Sequence, residues 1–121
     1  MRLTEISYGS AQAIDGYGPG FFRVGGHVLQ GACLITPWGA GPWGGMSDWA
    51  APLALAGRID VLFVGTGAGI APVPRAFREA LEAVGIGVEG MNSPAAARTY
   101  NVLLGEGRRI AACLLPVAVR G

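Results

Sequence analysis

The sequence contains no lysine, because all nine of its basic residues are arginine, a usage that indicates a bacterial genome of high GC content. This absence excludes a Schiff-base lysine and the lysine with which a P-loop grips phosphate. Eight acidic residues leave a formal net charge of +1. A chain with so small a charge has no strong field for attracting nucleic acid or anionic lipid.

Cysteine and histidine are scarce, which leaves little material for a catalytic or metal site. Cys33 and Cys113 lie far apart in apolar runs and are predicted to be buried core residues. His27 is the only histidine, and one His with two distant Cys cannot form a zinc site. The chain also has no Gly-x-Ser-x-Gly nucleophile elbow. We therefore predict no catalytic residue, no metal and no cofactor.

A long apolar run is missing as well. The longest one, residues 110–119, is interrupted by Pro116 and is well short of the roughly 20 residues that a membrane-spanning helix needs. The sequence given begins MRLTE and then turns polar and rich in glycine, without the continuous apolar segment of a secretory signal. These patterns predict a cytoplasmic protein with no membrane span.

Glycine is abundant, with 21 residues in 121, and its clusters between periodic segments are typical of turns. The pair Gly25-Gly26 suits the tight turn of a β-hairpin. The elements predicted for the first half are a hairpin of strands 21–24 and 27–29, continuation of the second strand through 32–35, a loop over 37–48 and a short helix over 52–56.

The second half has stronger periodicity. An apolar run at 59–64, an amphipathic helix between Pro72 and Gly85 and a strand at 86–91 form a βαβ unit with parallel strands. Ser93 is predicted to cap a helix that ends near Leu104, and a last strand covers 108–117. The length suits one domain, residues 1–121. The order predicts an α/β domain with a mixed sheet, flanking helices and a small N-terminal β-hairpin element.

Three segments carry a family resemblance. Residues 64–67 read VGTG after an apolar strand, residues 91–101 read MNSPAAARTYN, and residues 101–109 read NVLLGEGRR. Together they resemble the family of mitochondrial complex I assembly factor 3 and its archaeal and bacterial relatives. The resemblance implies a three-layer α/β fold around a central mixed, mostly parallel sheet of about five strands. It also implies a protein that helps assemble the NADH–ubiquinone oxidoreductase and is not known as an enzyme.

The glycine-rich loop at 65–69 lies between a strand and a helix, as a dinucleotide-binding fingerprint would. Ile70 stands where the fingerprint needs its third glycine, and Pro72 and Pro74 remove backbone donors from the helix start. Nucleotide binding is therefore disfavoured, and a tight strand-to-helix turn is the simpler interpretation.

The same loop and the turn at 92–93 should lie together at the carboxyl edge of the sheet, where two helix N-termini favour an anion. A small anionic ligand is thus one hypothesis, and it requires an open pocket at this edge with unpaired donors. Its predicted contacts are Gly65, Thr66, Gly67, Asn92, Ser93 and Arg98.

Trp38 and Trp43 lie in a loop rich in Gly and Pro, and tryptophan is enriched both in binding hot spots and in lids over cores. Glu106 and Arg108 belong to a polar cluster after the helix that begins at Ser93. These four residues are the predicted partner surface. In the structural alternative, Glu106 pairs with an arginine and Asn101 satisfies backbone groups in the helix-to-strand turn.

Two functions remain open from the sequence. The preferred one is a non-enzymatic accessory or assembly protein that contacts respiratory-complex subunits or other assembly factors, with homo-oligomer formation expected. The alternative is a small-molecule binding protein for an anionic ligand, or an unrecognised enzyme, that uses the cleft at 65–69 and 92–93.

Overall fold

The computed structural model describes residues 12–117. Residues 1–5, where no secretory signal was predicted, and the end of the apolar run at 110–119 lie outside the described residues. The elements within residues 12–117 are β1 (Ile14–Gly18), β2 (Phe21–Val24), β3 (His27–Gln30), β4 (Cys33–Thr36), β5 (Gly39–Pro42), α1 (Ala50–Leu53), β6 (Val61–Thr66), α2 (Arg75–Glu82), β7 (Gly87–Met91), α3 (Ser93–Gly105) and β8 (Ile110–Leu115).

The strands form two sheets. One is antiparallel with the order β1-β2-β3, and the other has five strands in the order β5-β4-β8-β6-β7. In the larger sheet β6 pairs in parallel with β7 and β8, while β4 pairs antiparallel with β5 and β8. The mixed five-stranded sheet is confirmed, but it is not mostly parallel. The sheet is less parallel than predicted because a tight turn joins β4 to β5, and such a short connection permits only antiparallel pairing.

The predicted hairpin is confirmed, because β2 and β3 pair around Gly25 and Gly26. Their φ angles of 56° and 85° fit a type I′ turn, which requires positive φ at both positions. Continuation of the second strand through 32–35 was wrong: the chain turns at Gly31, and β4 joins the larger sheet. Two strands were not predicted, β1 and the β5 that lies inside the expected loop.

Alternate residues of the central strands contribute to two separate cores, as the period of two in a strand requires. In β8, Ile110, Ala112 and Leu114 join one core, whereas Ala111 and Cys113 join the other. The first core also contains side chains of α3 and β2. The second contains side chains of α2 and that of Leu55, two residues after the end of α1. The three-layer description of the fold stays a prediction.

Helix α3 is tied to strand β1 by the side chain of Asn101. Its Oδ1 accepts the backbone N–H of Ile14, and its Nδ2 donates to the Ile14 carbonyl, both at 2.8 Å. The hydroxyl of Tyr100 donates to the carbonyl of Gln12 at 2.7 Å. Asn101 was expected to satisfy groups in its own turn, but its amide bonds to a strand 87 residues away. These bonds join the small sheet to the rest of the fold.

We predict that Asn101→Ala lowers the free energy of unfolding by about 2–3 kcal/mol, because it leaves the N–H and the carbonyl of Ile14 without their partner. Urea unfolding followed by circular dichroism measures this loss. The matched control is Val102→Ala on the same helix, since Val102 is 60% exposed and should change the value by about 0.5 kcal/mol or less. Equal midpoints for the two variants would contradict the role assigned to Asn101.

Candidate functional site

The carboxyl edge of the parallel strands is closed by Ser93, which is fully buried. Its Oγ accepts the N–H of Gly67 at 2.9 Å and donates to the carbonyl of Leu115 at 2.5 Å. Its own N–H donates to the carbonyl of Gly67 at 2.8 Å. The start of α3 is therefore fastened to the ends of β6 and β8.

The sequence predicted Ser93 as the N-cap of α3, but the observed N-cap is Asn92. Asn92 Oδ1 accepts the N–H of Ala95 at 2.7 Å, while Ser93 is already the first residue of α3. The prediction was wrong because the strand ends engage the Ser93 hydroxyl. Pro94, at the second helical position, costs the helix no hydrogen bond, since the first four N–H groups of a helix have no partner within it.

The threonine of the glycine-rich loop is also engaged within the chain. Thr66 Oγ1 accepts the N–H of Ala71 at 3.0 Å and lies 2.8 Å from the carbonyl oxygen of Gly69 and 3.2 Å from that of Met91. Gly65 lies so close to α3 that a Cβ there would be 2.7 Å from Ser93 Oγ and 2.8 Å from the Leu114 side chain. The loop is thus folded on itself and pressed against the helix.

The six residues predicted as one anion site differ in their surroundings. Arg98 is exposed on α3 and lines a pocket of about 360 Å³ with Thr99, Val102 and Leu103, none of which belongs to the glycine-rich loop. The side chains of Thr66, Asn92 and Ser93 are hydrogen-bonded to backbone groups. Among the described residues every buried side-chain nitrogen and oxygen has a partner. This geometry does not favour the anionic-ligand alternative.

Trp43 is a lid over the second core. It is 5% exposed, its indole N–H donates to the carbonyl of Asp48 at 2.8 Å, and its ring meets the edge of Phe77 with centroids 6.0 Å apart. The Asp48 carboxylate in turn accepts the N–H groups of Gly44 and Ala51. A buried ring of this kind holds the loop in place and offers little surface to a partner.

Trp38 is presented differently, on the turn between β4 and β5. The hydroxyl of Thr36 accepts the N–H groups of Trp38 and Gly39 at 3.1 and 3.0 Å and donates to the Gly39 carbonyl at 2.9 Å. The guanidinium carbon of Arg58 lies 4.1 Å from the centroid of the Trp38 ring. Arg58 was not identified from the sequence, because nothing in the local pattern relates two residues 20 positions apart.

The other two predicted partner residues, Glu106 and Arg108, are exposed after the end of α3. The backbone N–H of Glu106 closes the last turn of the helix. The expected pairing of Glu106 with an arginine is absent from residues 12–117, where Arg109 pairs instead with Asp60 at 3.2 Å. Neither Glu106 nor Arg108 lines the pocket next to Trp38.

The two cysteines are free and buried, as predicted. Burial raises the pKa of the Cys33 thiol to about 12. Burial also holds the pKa of Cys113 well above its usual value, with smaller contributions from Cys33 and Asp48. Both thiols are therefore neutral at physiological pH and poor nucleophiles. His27 is exposed on β3, and the described part of the chain contains no group of three potential metal ligands.

Comparison with known proteins identifies the family. The family described as "Protein of unknown function (DUF498/DUF598)" matches residues 14–115. An uncharacterised protein of Rhodobacter capsulatus is 51% identical over 117 residues, which cover 97% of this chain and 94% of that protein. The chain belongs to the DUF498/DUF598 family.

The resemblance to assembly factor 3 is also confirmed. The NADH dehydrogenase [ubiquinone] 1 alpha subcomplex assembly factor 3 of Danio rerio is 32% identical over 127 residues, covering 95% of this chain and 73% of that protein. The human protein of the same name is 31% identical over 124 residues, with coverages of 95% and 67%.

Solved structures show the same fold. An outer membrane protein from Bartonella henselae matches with a TM-score of 0.81 and 33% identity, covering 88% of this chain and 96% of that one. A Bordetella pertussis protein described as an Mth938-like domain matches with a TM-score of 0.74 and 28% identity, covering 89% and 87%. Within residues 12–117 of the present chain, no helix is long and apolar enough to cross a membrane.

We predict that Gly65→Ala lowers the free energy of unfolding by about 2 kcal/mol, because the new methyl group would overpack the contact with Ser93 and Leu114. Gly69→Ala is the matched control from the same loop, since a Cβ there meets nothing within 4 Å. Thermal unfolding of both variants checks the difference. A Gly65→Ala protein as stable as Gly69→Ala would show that the loop does not press against α3.

We also predict that the thiols lower the stability of the fold at alkaline pH. A raised thiol pKa means that the folded state favours the neutral form of the thiol. The contribution of the thiol to the free energy of unfolding is therefore complete below its unfolded pKa of about 8.5, and it declines as the pH rises above that value. Urea midpoints measured upwards from neutral pH should fall for the wild type beyond pH 8.5. The Cys33→Ala variant should be less stable than the wild type at neutral pH, but its urea midpoint should fall less steeply as the pH rises. Parallel curves would contradict the burial of the Cys33 thiol.

Proposed function

We propose that this protein is an accessory protein that promotes assembly of a respiratory NADH dehydrogenase by binding other proteins, and that it catalyses no reaction itself. The observation that carries the proposal is the similarity to named assembly factors at 31–32% identity over 95% of the chain. The proposal includes a cytoplasmic location and NADH dehydrogenase subunits or other assembly factors as partners. Self-association is a further part of it.

The surface proposed for these contacts contains the four residues predicted from the sequence. Trp38 has the strongest support, because its ring stacks with an exposed arginine beside a pocket, and Trp and Arg dominate binding hot spots. Trp43 contributes indirectly, by holding its own loop in place through the hydrogen bond to the Asp48 carbonyl. Glu106 and Arg108 are exposed charges, and such charges at a rim tune association rates more than affinity.

The alternative, an anionic ligand held by Gly65, Thr66, Gly67, Asn92, Ser93 and Arg98, has weaker support. The hydroxyls of Ser93 and Thr66 and the Oδ1 of Asn92 are hydrogen-bonded to the protein's own backbone. An anion would have to displace the Ser93 hydroxyl from the N–H of Gly67, and it would gain Arg98 only if that side chain moved from a different pocket.

Deletion of the gene in its own host tests the function. We predict that cells without the protein contain less fully assembled NADH dehydrogenase, accumulate partial assemblies, and recover when the wild-type gene is returned. Native gels stained for NADH oxidation measure the amount of complex. The control is succinate dehydrogenase activity in the same membranes, which should not change. Normal amounts of NADH dehydrogenase in the deletion strain would contradict the proposal.

A further inference from the structure

The turn between β4 and β5 lies beside a pocket of about 280 Å³ whose wall, among residues 12–117, has one charged side chain. Its lining consists of Leu34, Thr36, Trp38, the strand β5 (Gly39–Pro42), Leu55 and Arg58. No acidic residue of the described part of the chain lines it, and the Thr36 hydroxyl is already hydrogen-bonded within the turn. The pocket is therefore an apolar depression with one arginine at its side.

Local structure fixes both halves of the arginine–tryptophan stack. Thr36 holds the turn that carries Trp38. On the other side, the N–H of Arg58 donates to the carbonyl of Leu55 at 2.8 Å, and the N–H of Ile59 donates to the same carbonyl at 3.2 Å. The backbone is therefore held by hydrogen bonds on both sides of the contact between Arg58 and Trp38.

The contact with Trp38 does not occupy the N–H groups of Arg58. A guanidinium packed face-on against an aromatic ring keeps its N–H groups free in its own plane. Three other arginines have acceptors within the chain, since Arg109 binds Asp60, Arg78 binds the Val88 carbonyl and Arg75 pairs with Glu79. The Arg58 guanidinium has no hydrogen bond or ion pair among the described residues, although it lies beside a preformed pocket.

We infer that Arg58, Trp38 and this pocket form a seat for a partner protein's carboxylate, with an adjacent apolar side chain resting on the floor of Leu34, Pro42 and Leu55. A carboxylate matches the planar fork of arginine with two parallel hydrogen bonds. The volume of about 280 Å³ lies just below the roughly 300–1,000 Å³ of pockets for drug-sized ligands. It suits one side chain and its neighbouring carboxylate better than a whole cofactor.

The inference rests on the proposed function only in taking the occupant from another protein. The chemistry requires a carboxylate and an apolar group side by side, as at a chain end with an apolar last residue or at an acidic residue beside an apolar one. The wall residues that the structure describes include no acidic side chain, which also favours a negatively charged occupant, because none of them repels it.

The first test uses N-acetyl-phenylalanine, which carries a chain-end carboxylate beside an apolar side chain, and its neutral amide as the matched probe. Both are titrated into nitrogen-15-labelled protein and followed by two-dimensional NMR. We expect the acid to shift the indole N–H of Trp38, the Nε–H of Arg58 and the amides of β5. The amide should bind at least about tenfold more weakly, because it lacks the charge-assisted hydrogen bonds. Acid and amide binding equally, or neither shifting these signals, would overturn the inference.

Two variants of Arg58 separate the contribution of the planar guanidinium to binding from the contribution of its positive charge. Arg58→Gln removes the charge and should abolish the preference for the acid. Arg58→Lys keeps the charge but not the fork or the stack, and should retain only a small part of it. Arg23→Gln, an exposed arginine on β2 that does not line the pocket, is the control and should bind like the wild type. Acetate alone should bind much more weakly than N-acetyl-phenylalanine, and equal binding would show a simple anion site and overturn the role of the floor.

A second arm connects the seat to the protein's partners. Tagged wild-type and Arg58→Gln proteins are used to capture NADH dehydrogenase subunits from host lysate, and we expect the variant to recover much less. Selective probe binding without capture of such subunits would support the seat and count against the proposed function. Equal capture by both proteins, with no probe binding, would overturn the seat and leave the proposed function standing.

Discussion

The hydroxyl of Ser93 is the contact on which the rest of the structure depends. It accepts a hydrogen bond from the end of β6 and donates one to the end of β8, so the first residue of α3 joins the two central parallel strands. Gly65 makes this approach feasible, because a side chain there would collide with Ser93. With α3 fixed in this way, Asn101 and Tyr100 reach the N-terminal segment and attach the small sheet.

This closure has a consequence for function. In open α/β sheets the carboxyl edge usually binds ligands, because helix N-termini and loops converge there. In this protein the hydroxyls of Thr66 and Ser93 and the N–H group of Gly67 are hydrogen-bonded within the chain. Gly65 serves close packing against α3. The contact of Arg58 with Trp38 and its pocket lie at the other side of the sheet order, next to β4 and β5, and it is there that we propose a partner protein binds.

The sequence predicted those parts of the fold in which pattern and packing agree. The βαβ unit and α3 were recognisable because apolar periodicity, proline at helix starts and glycine at helix ends all point to the same elements. Strands β1 and β5 were missed, because IDGYG and GAGP have no intrinsic strand preference and are strands only through their neighbours. The cap at Asn92, the reach of Asn101 and the stack of Arg58 depend on tertiary contacts that no local pattern encodes.

Hydrogen exchange of the Gly67 amide is the sharpest test of the Ser93 contact, since this N–H is the donor that an anion at the edge would need. If Ser93 closes the edge, the Gly67 amide exchanges as slowly as the amides of β6, is unaffected by added phosphate, and becomes fast in Ser93→Ala. If the amide exchanges as fast as those of the exposed loop at 68–70, or is slowed by phosphate, the edge is open and Ser93 does not hold it closed.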